Sequence, residues 1–237
     1  MQLMHINILT LFPDMFPGCL GQSLSGKALE RGDWSYQCYD IRDYGLGVHK
    51  TVDDTPYGGG AGMVIRADVL QEALLSIKKP GRNIYLSPRG QQLKQPLVQE
   101  LCAESRPLTL LCGRYEGVDQ RFLDAHHFEE ISIGDYVLSG GEPAALILMD
   151  ACIRLLPGVM GNDDTHEHES FCSGTDGLLE YPHYTRPALW TDTNGTEHAV
   201  PDVLQSGNHA KIEDWRKAQS LELTKLRRPD LLKGLKS

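Results

Sequence analysis

The residues of this sequence able to do chemistry gather in a few short tracts. SPRG at 87–90, CGRYEG at 112–117 and IGDYVLSGGE at 133–142 are rich in glycine or proline, and each follows a strand-like segment. Beyond the carboxyl end of a parallel strand, glycine lets backbone amides and carbonyls approach a ligand closely. The alternative is that these are tight connections and no more. The tract DDTPYGGGAGM at 53–63 is the most glycine-dense. It reads as a flap that folds over a ligand or as a flexible connector, and its Pro, Tyr and Met argue against pure flexibility. GQSLSGK at 21–27 fits the first part of a phosphate-binding loop, but Ala28 stands where a hydroxyl must hold magnesium, and FPDMFPGCL before it breaks the required strand. No G-x-G-x-x-G fingerprint occurs, which argues against a nicotinamide enzyme and against the common Rossmann-type methyltransferase loop. His166 and His168 in DDTHEHE have metal-ligand chemistry, but the spacing is unspecific and the tract reads as a solvated acidic loop.

The elements that must position these tracts alternate. INILTLF and WSYQCYDI are strand-like, as are Asn83–Leu86, Leu108–Leu111 and Phe128–Ser132, while Leu24–Arg31 and Ala67–Ile77 are helix-like. This pattern predicts an α/β fold with an open, mostly parallel sheet. PAALILMDACIRLLPG predicts a buried helix of about four turns ending at Pro157-Gly158, with Arg154 near its end, where a cation also favours the helix carboxyl terminus. The aperiodic stretch to Gly177 reads as an interdomain loop. Beyond it, a hairpin about Asn194-Gly195 and surface helices at His209–Leu226 and Pro229–Leu235 are expected.

Six cysteines without a CxxC pair, and no secretion signal or membrane-length apolar run, place the expectation in the cytoplasm. Net charge is −9, which by itself disfavours a nucleic-acid partner. The distribution matters more: residues 206–237 carry eight Lys/Arg against four Asp/Glu, leaving the preceding residues at −13. The basic tail is either an RNA-facing surface or a solvated helical face.

Together, DDTPYGGGAGM, SPRG, CGRYEGVD, SIGDYVLSGGE, LLEYPHYTRP at 178–187 and SGNHAKIEDWR at 206–216 closely resemble the bacterial tRNA (guanine-N1)-methyltransferase family, TrmD, in order along nearly the whole chain. The resemblance implies a SPOUT-type sheet with a trefoil knot over residues 1–161, a flexible interdomain loop at 162–176, and a small, mainly helical tRNA-binding domain at 177–237. It implies a homodimer with the active site shared between subunits, S-adenosyl-L-methionine as methyl donor, magnesium at an unknown position, and tRNA guanine 37, preceded by a second G, as target. The cofactor residues would be Leu86, Ser87 and Pro88; Gly113, Tyr115, Glu116 and Gly117; and Ile133, Gly134, Asp135, Tyr136, Val137, Leu138, Gly140 and Gly141. Substrate contacts would come from Gly59, Ser170, His183, Tyr184, Arg186, Asn208, His209 and Arg216. Ser206–His209 also has the composition of a helix amino-cap.

Guanine N1 bears a proton and is a poor nucleophile, so its methylation needs a base at N1 and a cation near O6. In the resemblance these are Glu169 and Arg154. The family motif reads Asp-Ser-Phe where this chain has Glu169-Ser170-Phe171, and the stretch to Gly177 is about three residues longer than usual. Glutamate's extra methylene moves the carboxylate by about 1 Å, a displacement that can cost on the order of a hundredfold in rate. Asp176 is therefore the second candidate base. A catalytically weak tRNA-binding protein of the same fold, and a related knotted methyltransferase with another RNA target, are the competing readings.

Overall fold

The computed structural model describes residues 3–161 and 169–234. His166, His168 and the first part of the expected interdomain loop lie outside the described residues. Contacts divide the chain into two compact units, Met1–Gly161 and Asn162–Ser237.

The first unit is built on a five-stranded sheet of order β2-β1-β6-β5-β7, from β1 (Met4–Thr10), β2 (Trp34–Asp40), β5 (Arg82–Gln92), β6 (Leu108–Cys112) and β7 (Glu129–Ser132). Every pairing in it is parallel. A short antiparallel pair, β3 (Asp53–Asp54) and β4 (Val64–Ile65), closes the glycine-rich tract. The central strand β6, LTLLC, is buried at all five positions, the continuous apolar run that a parallel strand covered on both faces requires. Alternate residues of each strand enter opposite cores. Ile6, Ile8, Ile84, Leu86, Leu108 and Leu110 pack with Ala28 of α1 (Ser23–Arg31), Val98 of α3 (Gln95–Ala103) and Leu148 of α5 (Glu142–Ile153). Leu9, Tyr85 and Leu111 pack instead with Leu70 of α2 (Ala67–Leu75) and Phe122 of α4 (Gln120–Ala125).

Two expectations change in detail, while GQSLSGK, as expected, is no phosphate-binding loop. The strand expected to stop at Leu86 runs to Gln92, but Leu86 and Gln91 both pair with Ile131, so Ser87–Gly90 are extruded from the ladder. A Cβ on Gly90 would lie 2.3 Å from the Glu130 carbonyl carbon, which is why the chain can return to the sheet only through glycine. The buried helix is shorter than its apolar run: α5 ends at Ile153, Arg154 caps it, and Leu155 and Leu156 continue in tighter i→i−3 bonds toward Pro157, where the α conformation is disfavoured. GQSLSGK forms no strand-to-helix loop; a 3-10 turn at Gly18–Gly21 leads directly into α1.

The second unit contains an antiparallel hairpin, β8 (Leu189–Thr191) and β9 (Glu197–Ala199), then α6 (Asp202–Gln205), α7 (His209–Arg227) and a 3-10 segment at Pro229–Gly234. The hairpin turn at Asn194-Gly195 is held by the Asp192 carboxylate, which accepts from the amides of Asn194 and Thr196. Among the described residues no helix is long and apolar enough to cross a membrane.

Candidate functional site

The three strand-end tracts converge. A cavity of about 430 Å³ opens at the carboxyl ends of β5, β6 and β7 and is lined by all the residues singled out from SPRG, CGRYEG and IGDYVLSGGE except Asp135. A volume of this order suits a small organic ligand. Leu86, Ile131, Ile133, Leu138 and Ala144 supply apolar wall, and Arg89, Arg114 and Glu116 supply the charged groups of the lining. Gly113 is required by close approach, since a Cβ there would lie 2.7 Å from the hydroxyl of Tyr85. Burial raises the pKa of that hydroxyl, keeping it protonated across the physiological range. Tyr115 takes a positive φ of 57°, and Tyr115, Tyr136 and Val137 stay exposed at the cavity.

The loops that form the walls are tied to each other. Gly141 donates its amide to the Gly113 carbonyl at 2.9 Å, joining the loop after β6 to the start of α5. Behind this bond lies a buried ion pair that the sequence reading did not single out. Glu142, fully buried, has its Oε2 2.9 Å from Arg114 Nε, and its Oε1 accepts from the Thr10 hydroxyl at 2.8 Å. No local signal could have paired Arg114 with Glu142, because the contact depends on the loop after β6 meeting the start of α5.

The glycine-rich tract is fastened to the same wall. Glu116 donates its amide to the Met63 carbonyl, Ile65 to Gly117 and Asp119 to Ile65, each at 3.0 Å. Gly59, at φ 79°, lies in the tract so anchored, and Tyr57 beside it is fully exposed. Arg154 is half-buried as the carboxyl cap of α5.

In the second unit, Glu169 is half-buried and begins a compact turn. The Glu169 carbonyl lies 3.0 Å from the Thr175 hydroxyl, Phe171 donates to the Leu178 carbonyl at 3.0 Å, and Gly177 donates to Cys172 at 2.9 Å. The turn thus folds the additional residues back on themselves. Ser170 Oγ accepts from the Glu180 amide at 2.9 Å, so its hydroxyl has a structural bond. Asp176 is exposed, with a positive φ of 52°.

His183, Tyr184 and Arg216 come together with two aromatic residues not singled out from the sequence. The Arg216 guanidinium lies 4.8 Å from the Tyr181 ring centroid, Tyr181 and His183 are 5.0 Å apart, and Tyr184 meets Trp215 edge-on at 6.1 Å. His183 Nε2 is 2.8 Å from the Glu180 carboxylate. Arg186 and His209 are exposed. Asn208 is the amino-cap of α7, its side chain accepting from the Lys211 amide at 3.2 Å, so the capping role of SGNH is realised. Among the described residues no group of three or more His, Cys, Asp or Glu side chains is placed to hold a metal ion.

Comparison with known proteins agrees with this arrangement. A family model described as tRNA (Guanine-1)-methyltransferase TrmD matches residues 4–234. A tRNA (guanine-N(1)-)-methyltransferase of Rhodospirillum rubrum is 58% identical over 226 residues, 94% of this chain and 90% of its own. Proteins of the same name from Rhizobium etli and Wolbachia pipientis wMel are 55% and 53% identical, covering 97% of this chain and 96% of theirs. The ordered tracts, the strand-end cavity and a match along almost the full length lead to one assignment: this chain belongs to the TrmD family of tRNA (guanine-1)-methyltransferases.

Proposed function

We propose that this protein transfers a methyl group from S-adenosylmethionine to N1 of the guanine at tRNA position 37. The observation that carries the reading is the convergence of three separate glycine-containing tracts on one cavity, in a chain of this family. The cavity combines apolar wall with close-approach glycines, which suits a nucleoside bearing a short zwitterionic tail. When bound, S-adenosylmethionine supplies a sulfonium methyl, and the N1 electron pair forms the new C–N bond as the C–S pair returns to sulfur.

The chain's own residues have two tasks. Glu169 takes the N1 proton, and Arg154 offsets the negative charge that grows on O6. The compact turn supports Glu169 as the base: it absorbs the longer segment locally, while Asp176 lies on its exposed side. Exposed Tyr184 and Arg186, with half-buried Arg216 against Tyr181, suit tRNA, since arginine pairs phosphates and aromatic rings stack on unpaired bases. Gly59 and Ser170 complete the proposed contacts to the target base. The further expectations of a trefoil-knotted sheet and a homodimeric active site belong to this reading; the parallel sheet and the extrusion of Ser87–Gly90 are compatible with the knot. Magnesium finds no ready-made ligand cluster among the described residues, and the proposed steps do not use it.

The test is transfer of label from S-adenosylmethionine to an unmodified transcript with magnesium supplied, using wild type, Glu169→Ala and a transcript with A at position 37. Labelling of the guanine transcript alone, lost in the variant, supports both target and base. An inert wild type that still binds tRNA favours a binding protein of the same fold.

A further inference from the structure

Arg114 and Glu142 line or adjoin the cavity without a part in the chemistry proposed above. Their surroundings form a closed circuit. Thr10, the last residue of β1, donates its hydroxyl to Glu142 Oε1 at 2.8 Å and accepts the amide of Phe12 at 2.9 Å. The Phe12 ring lies 4.3 Å from the Arg114 guanidinium. Arg114 faces Glu142 Oε2 at 2.9 Å and donates through Nη1 to the Ser139 carbonyl at 3.1 Å. A Cβ on Gly140 would fall 2.3 Å from Arg114 Nε, so that residue rests directly on the guanidinium. The circuit joins the end of β1, the loop after β6 and the loop before α5.

The contact between the two charges is electrostatic in character: at 2.9 Å it makes an ion pair, yet its angles do not meet those of a hydrogen bond. A buried carboxylate left without its cation is strongly unfavourable. Thr10 supplies only one hydrogen bond, and the amino end of α5, where Glu142 is the first residue, offsets part of the charge. Arg114 is therefore held where it can grip Ser139 and support Gly140, two residues of the cavity wall.

We infer that Arg114 and Glu142 are positioning residues that set the shape of the methyl-donor cavity by fixing its 138–141 wall. The inference rests on the reading of the cavity as the S-adenosylmethionine site. It requires that cofactor affinity and fold stability respond differently to the pair.

The experiment measures binding of S-adenosylhomocysteine by calorimetry and thermal stability on the same samples of the full chain. Glu142→Gln is expected to lower Tm by several degrees and weaken binding on the order of tenfold to a hundredfold. Arg114→Lys keeps the charge but loses the Nη1 bond to the Ser139 carbonyl, and is expected to weaken binding by about tenfold. The double variant R114M/E142M removes both charges, so its Tm returns toward wild type while binding stays weak. Wild-type affinity in Arg114→Lys or in a stable double variant would overturn the inference, reducing the pair to scaffold. Failure of the wild type itself to bind would instead remove the cofactor reading and the inference with it.

Discussion

In the proposed reading, the two units of this chain serve recognition by different means. The cavity is walled by glycine-containing loops and apolar side chains, and a fully buried glutamate pairs with the Arg114 of its lining. The second unit presents exposed rings and cations on a helix and its flanking turns. Its buried side chains among the described residues are Cys172, Ser220 and Thr224, with no large apolar residue in that set. A pocket that must match one small molecule needs rigid long-range support. A surface that meets a flexible, charged polymer needs only correctly spaced exposed groups.

The largest expected effect that sharpens this contrast is at the base. Glu169→Ala should reduce turnover by about a hundredfold to ten-thousandfold while leaving S-adenosylhomocysteine affinity near wild type. Asp176→Ala should stay within about twofold of wild type, as expected for an exposed surface substitution. A large loss in Asp176→Ala with activity retained in Glu169→Ala would reverse the assignment.

Next comes the wall. Gly113→Val drives a branched side chain into the Tyr85 hydroxyl, 2.7 Å from the position of its Cβ. Overpacking of about 1–3 kcal/mol at this point should weaken cofactor binding by roughly tenfold or more, with tRNA affinity unchanged. Equal losses for both ligands would mean that the two recognition surfaces are not separable.

Smaller effects are expected in the second unit, where Arg216 is half-buried against Tyr181. Arg216→Ala should raise the KM for tRNA several-fold, leave kcat nearly unchanged, and reduce the slope of log affinity against log salt by about one if the guanidinium meets a phosphate. An unchanged salt slope would assign Arg216 to holding Tyr181 in place.

The smallest effect is chemical. Burial pushes the thiol of Cys38 up to about 11 and that of Cys152 up to about 12, and raises Cys112 well above its ordinary value. Below those values the groups are neutral thiols, so alkylation of the folded protein at pH 8 should mark exposed Cys19 first. Cys112 and Cys152 should react only on unfolding. Early labelling of Cys112 would show that the cavity wall opens far more readily than its packing implies.

Much of this protein was determined by the sequence itself. Short runs such as LTLL and NIYL read as strands, and the longer PAALILMDACI as a buried helix, because length and burial pattern are local properties of the chain. The glycine-containing turns after three such strands announced a strand-end site, and Asn208 stood where a helix cap was expected. Tertiary structure decided what depends on distant pairing. It set β6 between β1 and β5, extruded Ser87–Gly90 by pairing Leu86 and Gln91 with one residue, and joined the end of β1, the loop after β6 and the start of α5 through Thr10, Arg114 and Glu142. Periodicity cannot see such contacts, since they are selected by which strands become neighbours and by the cost of leaving a buried charge alone.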